Sequence, residues 1–187
     1  MQQQLVEVDV VVGVLSNSDE RVERVLRGLG VSVGGAEEPH SGNERNGGGD
    51  RNGEVDIDFV LTSWESGHEK PSPLAFEAAV QRARTVLKTS RSASAASSIA
   101  STTAKPAEGN EDVSMIQLHI GDDLCTDYDG ALAAGTGWSS LLLDREGTLD
   151  LHLHRGEDAG DGAHRPIQRI RRLTDAEPLL LRLCKGL

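Results

Sequence analysis

Three short groups of polar residues, each following an apolar run, carry the chemistry this sequence can offer. Ser16 and Asn17 close the run at 5–15. A hydroxyl opening a helix, beside backbone N–H groups that lack helical partners, can hold an anion. The same two residues can also do no more than cap that helix. Lys70 stands in GHEKPSP, directly ahead of Pro71. Proline keeps the residue before it extended, so Lys70 either presents a fixed cation to an anion or is a solvated loop lysine. Asp122, Asp123 and Asp127 lie in HIGDDLCTD, where Gly121 permits a tight exit from an apolar run. Carboxylates crowded into one loop repel one another unless a cation sits between them, and Mg²⁺ takes oxygen ligands of this kind. The plainer reading is an acidic surface turn.

The elements that must position these residues alternate in type. The Val-rich run at 5–15 reads as a buried strand, broken by Ser16-Asn17-Ser18. Val22, Val25, Leu26 and Leu29 then share one face of a 3.6-residue period. Asn17 with Glu20 forms a candidate capping box for that helix, and Gly30 a candidate stop. Residues 56–62 (DIDFVLT) read as a second strand, and Ser72-Pro73 as a helix start. Phe76, Ala79, Val80, Ala83 and Leu87 give that helix its apolar stripe. A third strand is expected at 115–120, a short Ala/Gly helix at 128–134, a fourth strand at 138–143, and a last helix at 175–184.

Strands alternating with helices predict an α/β fold, a Rossmann-like parallel sheet in three layers with helices on both faces. Ligands of such sheets bind at the carboxyl ends of the strands, where the three polar groups fall. The 187 residues suit one domain. Three stretches, 33–55, 89–112 and 155–165, are rich in Gly, Ser or charge and are expected to be disordered insertions, with too little to bury against their ordering entropy.

Composition limits the partners. The net charge is -11, with 30 Asp and Glu against 19 Lys and Arg. Such a chain repels phosphate backbones and anionic lipid, which argues against nucleic-acid and membrane-surface binding. Cys125 and Cys184 are far apart in sequence, without zinc or disulfide spacing, and fit a reducing, cytoplasmic setting. Aromatics are 3% of residues, so the core rests on aliphatic side chains, with Trp64 and Trp138 expected in it or at its edge.

The ordered set is an apolar strand then Ser-Asn, later Glu-Lys-Pro-x-Pro before a helix, later an apolar strand then Gly-Asp-x-x-x-x-Asp-x-x-Gly-Ala. It resembles the haloacid dehalogenase-like (HAD) hydrolase superfamily, from GVLSNSDERVERVLRGLGV through FVLTSWESGHEKPSPLAFEAAV to HIGDDLCTDYDGALAAGTGWSSLLLDREG. The resemblance implies Mg²⁺-dependent hydrolysis of a small phosphorylated metabolite through an aspartyl-phosphate. It implies that Ser16 hydrogen-bonds a phosphoryl oxygen with Asn17 beside it, and that Lys70 neutralises the phosphoryl group. It further implies that Asp122 binds Mg²⁺, that Asp127 supports the metal or orients Lys70, and that Asp123 is a weaker metal candidate.

The sequence departs from that pattern at its most reactive point. The family's nucleophile and general acid form an Asp-x-Asp pair ending a strand upstream of the Ser-Asn strand, and only 15 residues precede Ser16. Asp56-Ile57-Asp58 has the spelling but the wrong place. The helical cap is missing too. The chain is therefore expected to be a partial core lacking its first, central strand, and inactive. The missing strand would leave unpaired edges that invite self-association. The rival expectation is a non-catalytic interaction domain derived from the same fold, with the Ser-rich stretch at 90–103 as a phosphorylation target. His152, His154 and His164 are weak metal candidates, and Cys125, among acidic neighbours, is a poor nucleophile.

Overall fold

The computed structural model describes residues 8–34, 55–98, 114–135, 137–147 and 167–184. The chain divides into two compact units, one holding the elements before residue 114 and the other those after it. Among the described residues every strand pairing is parallel, as the α/β expectation requires.

The first unit contains β1 (Gly13–Ser16), α1 (Arg21–Gly28), β2 (Phe59–Thr62), α2 (Ser63–Ser66) and α3 (Pro73–Ser98). β1 pairs with β2 in register, Ser16 opposite Thr62, and Val33 adds a parallel bridge to Ile57. All four residues of β2 are buried. Phe59 and Leu61 point to one side, where Ala79 of α3 closes the core with Val11, Leu15, Ala78, Ala83 and Val86 packed around it. Phe76, the third residue behind the Pro73 start, is fully buried.

Several sequence expectations are corrected in this unit. The strand expected at 5–15 is paired only from Gly13 onward, and it is not buried: Val8, Val10 and Val12 are exposed. Val12 is held instead by Asp58, whose N–H donates to the Val12 carbonyl and whose carboxylate accepts the Val12 N–H. Among the described residues β1 pairs only with β2, so its outer edge has no ladder to cover it. The apolar stripe of α1 is likewise uncovered, with no residue buried and Leu29 75% exposed. Trp64 is exposed to the same degree, because the Thr62 hydroxyl caps a single helical turn that carries the indole outward. The Ser/Ala tract expected to be disordered from residue 89 continues α3 as far as Ser98. Alanine favours helix, and the Thr89 and Ser92 hydroxyls donate back to the carbonyls of Thr85 and Lys88. Val33 is also not a loop residue, being 6% exposed. The remainder of these two stretches, and all of 155–165 with His152, His154 and His164, lie outside the described residues.

The second unit contains β3 (Gln117–Gly121), α4 (Gly130–Ala133), β4 (Trp138–Leu143), β5 (Arg169–Ile170) and α5 (Glu177–Cys184). The strand order is β3-β4-β5. Strand alternation sorts the side chains. Leu141, Leu143 and Ile170 form one face with Leu118 and Ile120, covered by Ala176 and Leu179. Leu142 faces the other way and packs on Leu124 and Tyr128. The helix expected at 128–134 is preceded by a wide π-type turn over Leu124–Asp129, and a 3₁₀ turn at Leu173–Ala176 leads into α5.

Candidate functional site

Ser16, Asn17 and Lys70 belong to the first unit, Asp122 and Asp127 to the second. In the first unit the chain brings Asn17 and Lys70 together from 53 residues apart. The Asn17 Nδ2 donates to the Lys70 carbonyl at 2.9 Å, and its Oδ1 accepts the Lys70 N–H at 2.8 Å. This reciprocal pair uses the side chain as if it were a strand's backbone. The amide is therefore not the helix cap expected from sequence. α1 begins at Arg21 without a side-chain cap from Glu20, and the Asp19 carboxylate accepts the Arg21 N–H at 3.0 Å. The Arg21 guanidinium beside it holds the Asp19 carboxyl below the usual carboxylate range.

The clamp fixes where the Lys70 charge goes. Its Nζ donates to the carbonyl of Leu15 at 3.0 Å, one residue before Ser16, so the ammonium lies at the carboxyl end of β1. Ser16 is half-buried, and its Oγ accepts the Ser18 hydroxyl at 2.9 Å, leaving Ser16 its own proton to donate. The Ser18 carbonyl is fixed in turn by the Ser63 hydroxyl at 3.2 Å and the Trp64 N–H at 3.2 Å. A hydroxyl and an ammonium thus both lie at the carboxyl end of one strand, the two kinds of donor that suit an anionic oxygen. Sequence reading passed over Ser18 and Ser63, whose side chains brace the strand end. No spacing in the sequence marks them, since the register that sets Ser16 opposite Thr62 emerges only in the fold.

In the second unit β3 delivers the acidic loop. Asp122 is exposed, whereas the Asp123 and Asp127 carboxylates hydrogen-bond back into the loop. The Asp123 Oδ1 accepts the Thr126 N–H at 2.6 Å, and the hydrogen bonds from Thr126 hold its carboxyl below the ordinary range. Asp127 is buried, its Oδ1 3.0 Å from His119 Nε2 and its Oδ2 accepting the Asp123 N–H at 3.1 Å. His119, which sequence reading did not single out, has its ring edge-on to Trp138 with centroids 6.3 Å apart. Among the described residues no group of three or more His, Cys, Asp or Glu side chains is arranged to hold a metal ion. Both Asp127 oxygens are engaged, so the described carboxylates do not by themselves make up a Mg²⁺ site. Cys125 is exposed on the same loop.

No family model matches the sequence, and no curated protein does. Among solved structures, the chain is similar to the crystal structure of a HAD phosphatase from Thermococcus onnurineus, with 18% identity and a TM-score of 0.46. The likeness covers 91% of this chain and 50% of that one, so the chain spans about half the length of that structure. No described helix is long and apolar enough to cross a membrane.

Proposed function

We propose that residues 1–187 are one partial core of a haloacid dehalogenase-like hydrolase of the phosphatase type, nearest in motif to the group containing haloacid dehalogenase-like hydrolase domain-containing protein 3. In this reading the chain retains part of a binding site for a phosphomonoester of a small metabolite and does not turn it over. The observation that carries the proposal is the Asn17–Lys70 clamp, which joins the second and third motifs of that resemblance at the end of β1. The Ser16 hydroxyl donates to a phosphoryl oxygen, the Lys70 ammonium neutralises its charge, and Asn17 positions Lys70 through the main chain. Such fixed donors stabilise charge that develops in the transition state. They do not replace the carboxylate that would form the covalent intermediate, and residues 1–15 hold no Asp-x-Asp pair.

Asp122 is the residue that would meet Mg²⁺, with Asp127 supporting the loop behind it. With both Asp127 oxygens already hydrogen-bonded, weak binding is the expectation, because Mg²⁺ dehydrates reluctantly. A cytoplasmic setting is part of the same proposal. The test is hydrolysis of an aryl phosphate with Mg²⁺, beside a Lys70→Ala control. We expect no turnover above that control. Turnover that the substitution abolishes would show that this chain is an active enzyme and would overturn the inactive reading.

A second reading, a non-catalytic interaction domain, is favoured by the exposed Val8, Val10 and Val12 leading into the one-sided β1. An edge of this kind pairs readily with another strand, here that of a second copy. Concentration-dependent dimers in sedimentation, lost in Val10→Asp, would support it; a monomer at all concentrations would count against it.

A further inference from the structure

The carboxylates of the 122–127 loop are close together, and the loop holds its shape with hydrogen bonds drawn from the chain itself. We propose that His119 is the positioning residue of this loop. Its imidazole holds the Asp127 carboxylate, and that carboxylate holds the loop, so the loop keeps its form without a divalent cation.

The arrangement is built from the strand outward. His119 lies two residues before the end of β3, opposite Ser140 in the register with β4. Paired residues of parallel strands share a face, so His119 stands with Ser140 and Trp138 on the side away from Leu118, Ile120 and Leu141. The His119 and Asp127 side chains are 11% and 7% exposed, which shields their 3.0 Å contact from water. An ionised carboxylate only accepts, and against it the facing ring nitrogen of His119 is the donor. The other carboxylate oxygen takes the Asp123 N–H, and the Asp123 carbonyl takes the N–H groups of Asp127 and Tyr128, each at 3.1 Å. Asp127 therefore closes both ends of the turn it belongs to. Gly121 is part of the design, because a Cβ there would run into the Asp127 side chain. Asp122, one residue from this closed turn, stays exposed.

The consequence for Asp122 rests on the phosphatase reading: a loop closed from within presents that carboxylate in the same place whether or not a metal is bound. The closure does not depend on that reading, and the experiment separates the two. Backbone amide exchange is measured on the full chain in EDTA and then with Mg²⁺ added. In the wild type we expect Asp123, Asp127 and Tyr128 to be protected in EDTA and unchanged by Mg²⁺. His119→Leu should speed exchange at Asp123 by about tenfold or more, the scale of a hydrogen-bond network that includes a charged group. Amides of α3 serve as the control that the chain is folded. His119→Gln, which keeps an N–H donor on a side chain of similar reach, should restore most of the protection. With Trp64 replaced by Phe, Trp138 emission should change in His119→Leu and return toward wild type in His119→Gln. Wild-type protection that appears only with Mg²⁺ would overturn the proposal, as would a His119→Leu variant with unchanged exchange at Asp123. Failure of the chain to bind Mg²⁺ at any concentration would count against the phosphatase reading and leave the loop result standing.

Discussion

Asn17 and Lys70 exchange two hydrogen bonds, side chain to main chain, at 2.9 and 2.8 Å. Their consequence is a lysine whose backbone is fixed before its side chain begins. Of the ammonium's freedom, only the four-carbon stem is left to restrain, and the Leu15 carbonyl restrains it.

Replacing Asn17 with Ala should therefore cost about 1–2 kcal/mol of stability, the sum of two ordinary hydrogen bonds on a partly exposed clamp. Asn17→Asp should be no better than Ala in spite of its similar shape. Its carboxylate still accepts the Lys70 N–H but sets a second acceptor against the Lys70 carbonyl. Urea unfolding of the three proteins measures the difference, and a fully stable Asn17→Asp would show that the clamp is not what holds this strand end.

Gly121→Ala should open the acidic loop, because the added methyl meets the Asp127 side chain. The effect should be local: lost amide protection at 123–128 with α3 unaffected. Full retention of loop protection would mean that Asp127 can shift at little cost.

Asp123 gives the loop a pH dependence of defined sign. Its folded-state pKa lies below the ordinary aspartate value because the carboxylate accepts hydrogen bonds from Thr126. The stabilisation is thus fully present above the unfolded pKa, about 3.9, and is lost as pH falls through the lower folded value. Carbon-detected NMR titration should place the Asp123 midpoint below that of an ordinary aspartate, with the Thr126 amide shifting in step. A midpoint above that value would contradict the bond to Thr126. At neutral pH, Asp123→Ala should cost about 1 kcal/mol, as for loss of a helix N-cap.

Ser140 should tolerate the opposite change. It is 4% exposed and its hydroxyl has no hydrogen-bond partner among the described residues. A buried polar group left unpaired is destabilising by about 1–3 kcal/mol, so Ser140→Ala should be neutral or stabilising by up to about 1 kcal/mol. A clear loss of stability in thermal unfolding would mean that the hydroxyl is satisfied in solution.

Much of the fold was legible because strands buried on both faces announce themselves by composition: the strand expected at 56–62 forms over 59–62, and that at 138–143 falls where its apolar run predicts it. Proline marked the start of α3 equally well. What failed depended on partners far along the chain. Asn17 has the chemistry of a cap and also of a clamp, and only Lys70, arriving 53 residues later, decides between them. The run at 5–15 is apolar enough for burial, yet burial needs a second neighbour, and the described residues supply β1 with one. His119 looked like an ordinary strand residue. It meets Asp127, eight residues on, only because the chain between them winds through a π-type turn. Trp64 read as core by its type, but the Thr62 cap set its direction.

Ser16 and Lys70 are proposed to form a phosphate-binding strand end, and orthophosphate titration followed by ¹⁵N NMR tests this most directly. The account predicts saturable shifts concentrated at the Ser16, Asn17 and Lys70 amides, abolished in Lys70→Ala while the rest of the spectrum keeps its folded dispersion. Shifts scattered over the surface, or a response that Lys70→Ala leaves intact, would contradict it.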